Sequence, residues 1–203
     1  MSNPSINTTI TYLIQNGFEV IRVATASEAL EKAKSLVHDG LHIGLGGSTT
    51  VAQIGLLDWL QSLKSITLSN QYEPGITPEE NYKRRRQGLL SDLYITGCNA
   101  ITEAGELVNV DGDGNRVAAQ IFGPRKVLLI VSTNKIVPDR NAAFDRIRTF
   151  VAPRNIERMN TKALSLGKEP RWNAENIANK YAWIDSDKPG RTTIILVDEP
   201  LGF

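Results

Sequence analysis

The chain has 203 residues, a net charge of +1, 41% hydrophobic and 22% charged residues, and one cysteine, Cys98. These values fit one ordinary globular domain with a sizeable core. They exclude an intrachain disulfide framework, a cysteine-built metal site and any general electrostatic pull toward nucleic acid or an anionic membrane. No apolar run approaches the ~20 residues of a membrane span. Met1-Ser2-Asn3-Pro4 leads into a polar, amphipathic stretch and not a basic leader, so a cytoplasmic location is expected.

Residues 5–16 form an expected amphipathic helix, with Ile6, Ile10, Leu13 and Ile14 on one stripe. Residues 18–23 alternate as a strand. Thr25 and Glu28 make a capping-box pattern that opens a helix ended by Asp39-Gly40. A strand at 41–45, the loop Gly46-Gly47-Ser48-Thr49-Thr50 and a helix over 51–63 follow, then a short strand at 65–68. Pro78-Glu79-Glu80 is a good first turn for a helix ending near Gly88. An apolar strand from Asp92 runs into Thr96-Gly97-Cys98-Asn99. After a turn at Glu103-Ala104-Gly105, a second strand leads to an expected hairpin at Asp111-Gly112-Asp113-Gly114. The strand 127–131 ends at Ser132-Thr133-Asn134-Lys135. Two helices, 142–151 and 154–163, are expected on either side of Pro153. Residues 164–190 have weak periodicity and read as a long loop, and 193–197 is a closing buried strand. Strands alternating with helices predict an α/β fold, with a mostly parallel sheet flanked by helices and interrupted by an antiparallel hairpin.

Polar side chains gather at strand ends, where open α/β sheets bind ligands. Gly46, Gly47, Ser48, Thr49 and Thr50 lie between a strand and a helix. They suit either an anion held by free amides and hydroxyls or an ordinary turn with a Ser/Thr cap. The loop has neither the Gly-Lys-Ser/Thr of a Walker A nor G-x-G-x-x-G spacing. Asn99 orients a carbonyl or hydroxyl, or caps the strand end. Glu103 is the nearest carboxylate for base or nucleophile work, with a solvated turn residue as its plainer alternative. Asp111-x-Asp113-x-Asn115 starts like an EF-hand, but Arg116 and Phe122 stand where glycine and glutamate are required, so no metal is expected. Arg116 and Lys135 are candidate cations for a carboxylate or phosphate. Cys98 reads as a small core residue. Lys83-Arg84-Arg85-Arg86 reads as a solvated basic face, or as a phosphate or subunit contact.

These residues resemble the LUD domain, the lactate-utilization family that includes the lactate utilization protein C type. The matching pieces are residues 46–50, Thr96-Gly97-Cys98-Asn99 through Glu103, and Gly105 through Gly112 with Asn109. Gly114-Asn115-Arg116, Gly123-Pro124, Asn134-Lys135, Ala152-Pro153-Arg154-Asn155 and the ending at 196–203 continue the match. The resemblance implies a single LUD domain over 1–203 with the fold shared by glucosamine-phosphate deaminase, ribose-phosphate isomerase and CoA transferase (NagB/RpiA/CoA transferase-like). It carries a ligand site made of Gly46 to Thr50, Gly97, Asn99, Asn109, Arg116, Asn134 and Lys135. Relatives with isomerase chemistry carry an acid where this chain has Asn99. Many close relatives carry a cysteine cluster near 161–175, where this chain has none.

Three functions follow as expectations. The first is an accessory or ligand-binding component of lactate oxidation to pyruvate, binding a small anionic metabolite. No flavin or nicotinamide fingerprint is present, so no resident cofactor is expected, and an iron–sulfur partner protein would supply the redox clusters. The second is a sugar-phosphate or acyl-CoA enzyme using Glu103. The third is a non-catalytic sensor or assembly subunit. Homo-oligomerisation is implied by the resemblance.

Overall fold

A computed structural model describes residues 6–203; the readings for residues 1–5, including a first helix starting at residue 5, lie outside the described residues. Six parallel strands form the main sheet in the order β1-β10-β7-β4-β2-β3. They are β1 (Glu19–Val23), β2 (His42–Leu45), β3 (Thr67–Ser69), β4 (Leu93–Thr96), β7 (Lys126–Ser132) and β10 (Thr192–Val197). Strands buried on both faces should be continuously apolar, and β4, β7 and β10 are. The pleat divides β7 between two cores. Leu128 and Ile130 pack under helices α2 (Ala26–Ser35), α3 (Thr49–Gln53) and α4 (Leu56–Ser62), while Leu129 and Val131 pack on the face shared with α1 (Ile6–Gln15).

Helix starts follow local chemistry. Thr25 Oγ1 accepts from the Glu28 amide, and Glu28 reaches back to the Ala24 amide. Thr77 caps α5 (Pro78–Gly88), and Asp139 caps α7 (Arg140–Arg146). The helix expected over 51–63 is instead two, α3 and α4. Gly55 at φ 76 adopts the left-handed conformation, which breaks the helical hydrogen-bond ladder there.

A second sheet, β8-β5-β6-β9, grows from the ends of β4 and β7. It holds β5 (Ala100–Thr102), β6 (Leu107–Asp111), β8 (Ile136–Val137) and β9 (Lys180–Ile184). The antiparallel interruption is present, but its turn lies elsewhere than expected. Residues 102–105 join β5 to β6, with the Gly105 amide donating to the Thr102 carbonyl at 2.8 Å. The Asp111–Gly114 stretch starts helix α6 (Asn115–Ile121). The Asp111 carboxylate accepts from the Arg116 and Val117 amides, so the chain turns into a helix and does not return as a strand.

The two helices expected around Pro153 are continuous. A π-helical turn, Ile147–Val151, joins α7 to α8 (Ala152–Ser165) and places Pro153 in the first turn of α8, where its missing N–H costs little. The long loop expected over 164–190 contains β9, the edge of the second sheet, paired antiparallel with β6. No helix among the described residues is long and apolar enough to cross a membrane.

Candidate functional site

After β2 the chain moves to β3 on one side. After β4 it reaches β7 on the other, by way of the second sheet. The crevice between the C-terminal ends of β2 and β4 is therefore a point where strand order reverses, the usual ligand position in such sheets. A cavity of about 990 Å³ opens there. Its walls are Gly47, Ser48 and Thr49 after β2, Gly97, Cys98 and Asn99 after β4, Lys135 after β7, one face of α8, and the 168–178 segment.

The glycine loop is shaped by its neighbours. A Cβ on Gly46 would lie 2.4 Å from Thr96 Oγ1, and one on Gly97 would lie 2.6 Å from Ser48 Oγ. Neither position has a positive φ, so close approach of β2 and β4 and not an unusual turn demands these glycines. Ser48 Oγ accepts from the Val51 amide at 3.2 Å, which makes it the cap of α3. Its hydroxyl hydrogen remains free to donate toward the cavity.

Arg116 was expected as an anion clamp, and the structure assigns it otherwise. Its Nε donates to Asp111 Oδ1, Nη1 to the Gly97 carbonyl and Asn109 Oδ1, and Nη2 to Asn99 Oδ1 and the Val110 carbonyl. All five donors of a guanidinium are thereby engaged, so Arg116 braces the site without a donor left for a ligand. Asn109 is also occupied. Its Oδ1 accepts from the Asn99 amide and Arg116, and its Nδ2 donates to Gln120 Oε1 at 2.7 Å. It is fully buried and does not line the cavity. Asn99 does line it. Its Oδ1 is held by Arg116 and the Val110 amide, which leaves Nδ2 as the group it can offer.

Lys135 sits on a short 3-10 turn, Thr133–Lys135, at the tip of β7. It is 3% exposed and lines the cavity. Its Nζ donates to Thr50 Oγ1 at 3.0 Å, and no carboxylate among the described residues lies within ion-pair distance. Burial pushes its pKa down to about 8, with Arg146 and Arg116 adding repulsion against the opposing influence of Cys98. Thr50 is wholly buried and serves the ligand site only through Lys135. Asn134 on the same turn is exposed and does not line the cavity, because the tight turn sends neighbouring side chains in different directions.

Glu103 is likewise outside the cavity. It follows β5, whose three residues carry the chain roughly 10 Å from Asn99 at ~3.3 Å per residue, and its amide bonds to the Val137 carbonyl. Cys98 is buried, donates to the Ala100 carbonyl at 3.0 Å, and has its thiol pKa raised by burial, as suits a core residue. Arg85 of the basic run reaches the cavity and pairs with Asp113, and Arg84 pairs with Glu73 and Glu80.

The structure adds residues that the sequence reading did not single out. Tyr72, half-buried, stands in the loop before α5. Its Oη accepts from Gln71 Nε2 and would lie 3.2 Å from a Cβ on Gly47, and burial raises its pKa to about 12. Arg158 and Lys162, one helical turn apart on α8, face the glycine loop from across the cavity. Arg158 is open to solvent at the cavity mouth. The packed walls still push its pKa below the ordinary value, without consequence because arginine stays charged. Positions 151, 155, 158, 159, 162 and 166 all line the cavity, so helical spacing along α8 was the available signal.

A model of the LUD domain matches residues 6–197. The chain belongs to the LUD domain family. Among solved structures, a DUF162 family protein from Deinococcus radiodurans aligns over 97% of this chain and 99% of its own, with a TM-score of 0.56 at 16% identity. That likeness extends the shared α/β fold over nearly the whole LUD domain. The delta subunit of eIF2B from Chaetomium thermophilum aligns over 68% of this chain and 57% of its own, at 21% identity and a TM-score of 0.37, too low to carry an argument about fold. No curated protein matches the chain significantly.

Proposed function

We propose that this LUD-domain protein is a ligand-binding component of lactate utilization that holds an anionic metabolite in the crevice between β2 and β4. The observation that carries the reading is Lys135, a buried lysine at the cavity wall without a carboxylate partner among the described residues. An unpaired buried charge costs several kcal/mol (roughly 3–5 when a partner is removed from a pair), so a site of this kind is favoured when a ligand brings the counter-charge. Arg158 and Lys162 extend the positive field on the facing wall, and Ser48 and Asn99 Nδ2 offer neutral donors. Family membership supports the metabolic setting. A redox partner carrying iron–sulfur clusters would complete any oxidation, because no cysteine other than Cys98 is present. Glu103 has no part in this reading.

The test is thermal denaturation in low-salt buffer with lactate, pyruvate, phosphate, phosphorylated metabolites and an uncharged amide of lactate. At least one anion raises Tm, the amide does not, and Lys135→Met removes the rise while keeping the unliganded protein folded. Indifference to every anion overturns the reading.

A further inference from the structure

The cavity is larger and more positive than a three-carbon acid requires. At about 990 Å³ it stands at the top of the range of pockets that enclose drug-sized ligands, roughly 300–1,000 Å³, whereas lactate has only six non-hydrogen atoms. Its charges divide cleanly. Asp111 is paired with Arg116, Asp113 with Arg85, and Glu73 with Arg84. Lys135, Arg158, Lys162, Lys168 and Arg171 also line the cavity, and among the described residues none has a carboxylate partner; Glu169 is the one lining acid left to offset them. A single carboxylate would leave most of that field unbalanced, while a group with several negative charges would meet it.

The same walls carry flat rings. Tyr72 lies beside Gly47, with Lys162 Nζ 5.4 Å from its ring centroid. Trp172 lies over Gly112, where a Cβ would come 2.7 Å from its ring. Asn160 holds its backbone from both sides, donating to the Trp172 carbonyl at 2.9 Å and accepting from its amide at 3.0 Å. The backbone of Trp172 is thus fixed, and its indole packs on Gly112 with the Arg171 guanidinium 4.9 Å from the ring centroid, which places an aromatic and cationic wall where a planar group can stack. We infer that the cavity takes a phosphorylated nucleoside, with its phosphates among Lys135, Arg158 and Lys162 and its base toward Trp172. The inference rests on the anion-site reading above and names its ligand class.

Calorimetry on the intact protein with four probes separates the contributions: ADP, pyrophosphate, adenosine and lactate. ADP binds tightest, pyrophosphate binds more weakly, and adenosine and lactate give no heat at the same concentrations. The exposed pair Lys162→Gln and Arg171→Gln together weakens ADP at least tenfold, Trp172→Ala weakens ADP without changing pyrophosphate, and Lys126→Gln, on the first residue of β7 outside the cavity, changes neither. Pyrophosphate binding as tightly as ADP, or ADP binding untouched by the cavity variants, overturns the nucleoside assignment. Lactate binding in the absence of ADP binding overturns it while sparing the anion site. No binding by phosphates or carboxylates alike removes both.

Discussion

Gly46 shows how one absent methyl group can position a site. Its Cα lies against Thr96 of β4, and any Cβ would overlap Thr96 Oγ1. Gly46→Ala therefore lowers stability by roughly 1–3 kcal/mol, the usual cost of overpacking a closed core, and a denaturant midpoint measures it. Lys135 gives a pH signature. Its folded pKa of about 8 lies below its ordinary value of 10.5. Between those two pH values the unfolded chain holds a proton that the folded one has released. Stability contributed by this group thus rises with pH across the window and is absent below it. Lys135→Met abolishes that rise in urea titrations at successive pH values. Anion affinity runs the opposite way and falls above pH about 8 by up to tenfold per unit, because a bound anion favours the ammonium form.

The 168–178 segment illustrates how an element without periodicity becomes ordered. Asn160 of α8 offers Trp172 the donor and acceptor of a peptide group, and Asn176 and Asn173 brace the following turn. Asn160→Ala removes two hydrogen bonds worth about 1 kcal/mol each and releases this wall of the cavity. Trypsin then cleaves after Lys168 and Arg171 several-fold faster, while the main melting transition stays in place, because the parallel sheet and its cores lie elsewhere. An unchanged cleavage rate would contradict the role given to Asn160. Helix α8 itself was expected from its spacing, but its junction with α7 was not. A proline mid-pattern reads as a break unless a π turn absorbs it, and that depends on how Ile147 and Val151 pack.

Across the whole molecule, Arg116 ties the two sheets together. Through the Gly97 carbonyl it holds the end of β4, and through Asn109 and the Val110 carbonyl it holds β6. Arg116→Leu strands Asp111 and several buried acceptors, at a cost of roughly 3–5 kcal/mol. Chemical denaturation reads this loss, and a midpoint within error of the parent would show that the guanidinium is dispensable. This brace fixes the strand end on which Asn99 stands at the crevice.

The amino-acid order alone determined the apolar strands of the parallel sheet and the capped starts of α2 and α5, because these depend on periodicity and neighbouring residues. Tertiary structure alone decided that Arg116 and Asn109 are braces, that Glu103 is carried away from the cavity, and that Tyr72, Arg158 and Lys162 join it. Those roles depend on partners from other parts of the fold. A side chain's free donors can be known only after every neighbour that might claim them is in place.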